Sequence, residues 1–305
     1  MIVSPLKTLV GCLMVAGVLL CVVALQHMVA GQEFSWHFTP DLFVVALIGA
    51  FGALYGSSYA WKEFVFALSA HRLSFAQAFH QVGILLVGKY IPGMIGGIVA
   101  RVMANSGRIS ANAVVEATLL EQCGSMAAVT LVGSACLAGA WNITAGLSIF
   151  LLGLVAAGVA PTVAEPLLQL MFWVRARFWN TEQLTVTDAD KAGLRRAWLA
   201  QVALHVCIAL YVAVVIRALL PYMPLRDILE LTGAYGISLM IGVLAFIAPG
   251  GIGVREGCFV VLSAHVVGYE QALVIALALR LAMTSIDLLA GLGIGVNWII
   301  HVIKN

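Results

Sequence analysis

The sequence predicts an all-α protein folded as a bundle of membrane helices, and three observations carry that prediction. Of its 305 residues, 62% are hydrophobic and only 10% are charged, whereas a soluble globular domain has about a quarter of its residues charged. The mean hydropathy is +1.05. The apolar residues also fall into runs of about 20, the length a helix needs to cross a bilayer. A formal net charge of +2 without any long basic run gives no reason to expect a nucleic-acid partner.

The elements follow in order. Lys7 precedes an apolar run over 9–25 that lacks a convincing cleavage site, so the run reads as an uncleaved first span. The loop over 31–41 carries Glu33 and Asp41 but no Lys or Arg, so it faces away from the cytoplasm and the N-terminus is cytoplasmic. A second span runs from about Leu42 to Trp61, and Lys62, His71 and Arg72 return the chain to the cytoplasm. The segment over 75–104 is interrupted in its middle and has basic flanks on both sides, with Arg101 and Arg108 at its end. It is expected to enter and turn back as a re-entrant hairpin, because lipid tolerates irregular backbone only where protein or water covers it.

Further spans are expected over 111–138, 143–160, about 190–220, 228–248 and 272–300. Pro161 and Pro166 close the second of these. The polar connection over 172–196 sets Arg175, Arg177, Lys191, Arg195 and Arg196 against Glu182, Asp188 and Asp190, which again reads as cytoplasmic. The total is about seven full spans plus two broken segments, in a single membrane domain over 1–305.

Two stretches organise the chain. The clearer is Pro249-Gly250-Gly251-Ile252-Gly253-Val254-Arg255-Glu256. Proline removes a helix donor and clashes with the preceding turn, while glycines reach positive φ freely, so this backbone cannot stay simply helical. Its exposed amides are candidates for an anion-binding concavity with Arg255 beside it. An earlier stretch, Gly88-Lys89-Tyr90-Ile91-Pro92-Gly93, leads through Gly96 and Gly97 to Arg101. The two breaks fall at similar stages of two halves, which suggests an internal repeat of the kind found in transporters. The charge pattern of the loops makes those halves parallel. Two breaks of one kind also suggest one shared site, a polar cavity where the broken segments meet.

With these two motifs in place, and Arg101, Glu121 and Arg280 at the matching stages, the chain resembles the lysylphosphatidylglycerol synthase transmembrane-region family, also described as flippase-like. The resemblance covers nearly the whole chain. It implies a polytopic bacterial inner-membrane domain that moves lipids between leaflets, including aminoacyl-phosphatidylglycerol and, in some members, polyprenyl-linked lipids. Members that also synthesise the aminoacylated lipid carry a large soluble catalytic domain after the membrane part. This sequence runs only to Asn305, so synthase activity is not expected.

A headgroup crossing a bilayer needs a polar path and a charge partner for its phosphate. Lys89, Arg101, Arg255 and Arg280 supply positive charge within or beside apolar segments, where a lone cation costs about 2.5–3.5 kcal/mol. The candidate substrate-binding set is therefore Lys89, Tyr90, Pro92, Gly93, Arg101, Glu121, Pro249, Gly250, Gly251, Gly253, Arg255, Glu256, Arg280 and Asp287. Arg280, Thr284 and Asp287 share one helix face. The same charges also read as structural ion pairs, Arg101 with Glu121 and Arg280 with Glu256 or Asp287. Arg280 and Asp287 stand two turns apart, about 10 Å along the axis, so partners on other helices suit them better.

The six cysteines and seven histidines are scattered without zinc-ligand spacing, so no metal, cofactor or disulfide framework is expected. His205, within an apolar run, reads as a packed or hydrogen-bonded helix residue. No nucleophile elbow or nucleotide loop points to an enzyme. The alternative to a transporter is a non-transporting scaffold for an envelope lipid or polysaccharide assembly enzyme. The particular lipid, the energy source and the oligomeric state have no signature in the sequence.

Overall fold

The computed structural model describes residues 39–88, 95–156, 188–245 and 249–304. They form helices α1 (Pro40–Ser69), α2 (Phe75–Gly88), α3 (Ile95–Ala104), α4 (Ala111–Trp141), α5 (Ile143–Ala156), α6 (Asp188–Leu219), α7 (Leu225–Leu244), α8 (Val254–Val267) and α9 (Tyr269–Lys304), with a 3-10 turn at Pro249–Gly251. No strand occurs among the described residues.

Local chemistry sets the boundaries. Helix α1 starts with Pro40 in its first turn, where a missing N–H is harmless, and stops at Ala70, whose backbone is left-handed at φ 52°. The Ser110 hydroxyl accepts the Ala113 N–H at 3.3 Å to cap α4. Asn142 ends α4, and its Oδ1 then accepts the Thr144 N–H at 2.9 Å to start α5. Gly268, at φ 82°, turns α8 into α9.

Five helical stretches are long and apolar enough to cross a membrane: Pro40–Ser69, Ala111–Trp141, Lys191–Leu219, Leu225–Leu244 and Tyr269–Asp287. Of the other expected spans, the one over 9–25 lies outside the described residues, and α5 as described falls short of the crossing length. The outward faces are apolar: Phe43, Ile48 and Phe51 on α1, Leu151 and Leu152 on α5, and Val261 on α8 are exposed. Such a surface suits lipid and would be a liability in water.

Glycines decide which helices pair. Helices α1 and α6 run antiparallel along a seam of small residues, where a Cβ on Gly49 would stand 3.0 Å from the Cys207 carbonyl oxygen and one on Gly52 2.7 Å from Cys207 Sγ. In α4 and α7 the crossing is as close, since a Cβ on Gly233 would lie 2.8 Å from the Gly133 carbonyl oxygen. Lipid is as apolar as leucine, so close van der Waals contact between helices takes the place of hydrophobic drive.

The segment over 75–104 is not one helix. Its limbs α2 and α3 have 14 and 10 residues, about 21 and 15 Å at 1.5 Å per residue, each short of a hydrocarbon core of about 30 Å. They lie against each other so closely that a Cβ on Gly88 would collide with Gly97 Cα, while the Arg101 Nε donates to the Gln81 carbonyl at 3.0 Å. The chain therefore doubles back between them. Lys89, Tyr90, Pro92 and Gly93, at the expected turn, lie outside the described residues.

Helices α7 and α8 make a second hairpin. A Cβ on Gly242 would stand 3.0 Å from Arg255 Cβ, the Tyr235 and Phe259 rings meet edge-on at 6.3 Å, and His265 Nε2 bonds Glu230 Oε1 at 2.7 Å. The partner numbers rise on one limb as they fall on the other, so the limbs are antiparallel.

The two hairpins open toward opposite ends of the bundle. The Arg196–Glu63 ion pair, 2.7 Å, puts the C-terminal end of α1 beside the N-terminal end of α6, and Trp61 ties the first hairpin to that end through a 2.7 Å bond to Gln81. The second hairpin opens at the other end, where Arg226 lies over the Trp141 ring at 4.6 Å. The halves α1–α4 and α6–α9 thus repeat with inverted sense. This corrects the parallel arrangement expected from loop charges. Loop charges make 228–248 a complete crossing and so put the second break at the cytoplasmic end, whereas α8 carries the chain back to the end where α7 began.

Candidate functional site

The second break is built by its own backbone. Gly250, Gly251 and Gly253 have φ of 59°, 68° and 83°, values that only glycine adopts without strain. Behind the turn, Glu256 Oε2 accepts the Gly253 N–H at 2.7 Å, and the carboxylate sits at the N-terminus of α8, where the helix dipole favours it. Arg280 then reaches across from α9, donating from Nη1 to the Gly250 carbonyl at 3.0 Å and to Glu256 Oε1 at 3.2 Å. One arginine thereby ties the turn, the cap and the last helix together. At least one amide of the expected anion concavity is taken by Glu256, and Arg280 acts as the clasp of the turn. Arg255 is the member that faces inward. Its Nη2 lies 3.5 Å from Glu256 Oε1, and its guanidinium stands 5.6 Å from the centre of the Tyr235 ring.

The first hairpin is held by a matching arrangement with the charges exchanged. Arg101, on the returning limb α3, has 0% exposure and pairs with Glu121 on α4. In the second half the acid, Glu256, is on the returning limb and the arginine, Arg280, on the following helix. Arg101 also lies over the Trp61 ring at 3.8 Å. Gln81 and Asn105 complete the network: Gln81 Nε2 donates to Asn105 Oδ1 at 3.0 Å, and Asn105 Nδ2 donates to the Arg101 carbonyl at 2.8 Å. Both ion pairs named from the sequence, Arg101–Glu121 and Arg280–Glu256, are present, and each fastens a hairpin to the helix after it.

Between the hairpins lies a cavity of about 230 Å³. Leu85 and Leu86 near the end of α2 line it on one side, and Val243 and Arg255 at the second break on another. Glu121, Gln122 and Ser125 of α4, Gln201 and His205 of α6, Tyr235 of α7 and Asp287 of α9 supply its polar groups. His205 Nδ1 lies 2.8 Å from the Gln201 carbonyl and must donate to it, which leaves Nε2 to accept from the Ser125 hydroxyl at 3.2 Å.

Of the candidate set, Glu121, Arg255 and Asp287 reach the cavity wall, while Arg101, Glu256 and Arg280 stand behind it as supports. Pro249, Gly250, Gly251 and Gly253 shape the second break. Arg280, Thr284 and Asp287 are all buried, as their shared face required. Gln201, His205, Ser125 and Tyr235 escaped the sequence reading as site residues. Gln201 and His205 did leave a signal, two polar side chains one helical turn apart in an otherwise apolar run.

An apolar outer face and five helices of crossing length, packed around a mostly apolar cavity into which a few polar side chains reach, define a polytopic integral membrane protein. Residues 8–291 match the family model of the lysylphosphatidylglycerol synthase TM region, and the chain belongs to that family. No curated protein and no solved structure matches the chain significantly.

Proposed function

We propose that this protein is a flippase that moves a phosphate-bearing lipid between the leaflets of a bacterial-type inner membrane, through the cavity between its two hairpins. The observation that carries this reading is the position of that cavity: the ends of two oppositely directed hairpins converge on buried polar groups, with Arg255 on the wall. Transporters commonly place substrate where the broken helices of two inverted repeats meet, and anionic groups there face cations or helix N-termini. Membership of the family supports the same reading. The hairpins are re-entrant in this proposal, with their turns covered by protein or water, and the protein carries lipid without making it. The lipid is phosphatidylglycerol, an aminoacyl derivative or a polyprenyl-phosphate-linked lipid.

Purified protein in liposomes is expected to speed leaflet exchange of at least one member of such a panel over protein-free vesicles. Exchange of none would favour the scaffold for an envelope-assembly enzyme.

The end of the bundle that holds Glu63 and Arg196 faces the cytoplasm in this proposal, as does the N-terminus, because the basic loops gather there. In a cysteine-free background, Gln183→Cys should react with impermeant reagent only from the cytoplasmic face and His37→Cys only from the outer face. The opposite pattern would reverse the orientation.

A further inference from the structure

Two polar atoms on the cavity wall have no work inside the protein. Gln201 is 1% exposed and Tyr235 4%, both line the cavity, and neither Gln201 Oε1 nor the Tyr235 hydroxyl has a hydrogen-bond partner among the described residues. Native structures seldom leave buried polar atoms unsatisfied, and those that persist call for an unseen partner. Tyr235 cannot simply turn away, because Phe259 meets its ring edge-on and Arg255 covers it.

We infer that Gln201 and Tyr235 form a recognition subsite for a neutral, hydroxyl-bearing arm of the lipid headgroup, next to Arg255. The inference rests on the lipid-moving reading and names the headgroup chemistry that the cavity selects. Gln201 Oε1 can only accept, whereas the Tyr235 hydroxyl carries a proton to donate. An alcohol is both donor and acceptor, so one or two hydroxyls of a polyol or sugar satisfy both atoms. An ammonium has donors alone and would leave the phenol proton unmatched. It would also stand beside the Arg255 guanidinium, 5.6 Å from the same ring, as a second positive charge. A hydroxyl avoids both penalties. The cavity, at about 230 Å³, is several times the roughly 30 Å³ of one water, so it has room for more than a bridging solvent molecule.

The test compares lipids that differ only in the arm beyond the phosphate. Full-length protein in detergent is titrated with short-chain phosphatidylglycerol, with phosphatidylpropanol, which has the same charge and no hydroxyl, and with phosphatidylethanolamine. Phosphatidylglycerol should bind about tenfold more tightly than phosphatidylpropanol, the effect of two net hydrogen bonds. Tyr235→Phe, which keeps the ring, and Gln201→Met should each lower that ratio by about threefold. Arg255→Lys should weaken both lipids and leave the ratio unchanged.

A wild-type ratio within about twofold of one would overturn the subsite and leave the two atoms to water; this comparison needs no variant to fold. A ratio unchanged in both variants would also overturn it. Phosphatidylethanolamine binding as tightly as phosphatidylglycerol would overturn the hydroxyl assignment. A preference that tracks Gln201 and Tyr235 without any leaflet exchange would sink the transport proposal and keep the subsite. Exchange without the preference would do the reverse.

Discussion

Arg101→Ala should destabilise the protein by about 3–5 kcal/mol, the scale for stranding one member of a buried ion pair. Its side chain is wholly buried, pairs with Glu121, donates to the Gln81 carbonyl and covers Trp61. The substitution leaves an unpaired carboxylate on the cavity wall and a cavity against an indole. Arg101→Met combined with Glu121→Leu removes both charges at similar volume and should recover most of the loss, although the Gln81 carbonyl still lacks its donor. Equilibrium denaturation in detergent micelles measures both. A single variant as stable as the parent, or a double variant no better than the single, would show that the pair does not hold the first hairpin.

Arg255→Ala should have the largest effect on transport, reducing lipid exchange by about 30-fold or more, the consequence of removing a desolvated charge from its ligand. It should be far gentler on stability than Arg101→Ala. Glu256 keeps two other partners when Arg255 is lost, the Gly253 amide at 2.7 Å and Arg280 at 3.2 Å, so no carboxylate is stranded. Arg255→Lys should restore only part of the exchange, because lysine keeps the charge but loses the planar fork that meets two phosphate oxygens. If Arg255 serves packing alone, Arg255→Met should move lipid at the parental rate. That result would remove Arg255 from the transport path.

These two arginines look alike in the sequence. Both stand in apolar surroundings shortly after a Pro-Gly break, and both entered the candidate set on the same reasoning. The structure separates them by direction. Arg101 points into the seam between the first hairpin and α4, where the Gln81 carbonyl takes its Nε and Glu121 its Nη1, whereas Arg255 points toward the cavity and Tyr235. A one-residue change of register on a helix turns a side chain by about 100°, and no spacing rule says which neighbour will stand there. Gln201 and Tyr235 were missed for the same reason. An uncharged polar residue in an apolar helix is common enough to pass unremarked, and it becomes informative only when its buried atom lacks a partner.

Composition and run length by themselves determined that this chain is a helical membrane protein. The two Pro-Gly breaks determined where its helices fail and pointed to the family. These are properties of short stretches, set by the cost of bare backbone in lipid and by what proline and glycine do to a helix. Only the tertiary structure decided that the broken segments fold back from opposite ends, that the hairpins are fastened by ion pairs of exchanged charge, and which side chains line the cavity between them. Those facts depend on contacts between residues from 20 to more than 100 positions apart. They arise from glycine seams and buried charges finding partners on other helices. The sequence offered the pair Arg101–Glu121 and left Arg280 between Glu256 and Asp287, but it specified neither the direction of the second hairpin nor the side chains of the cavity wall.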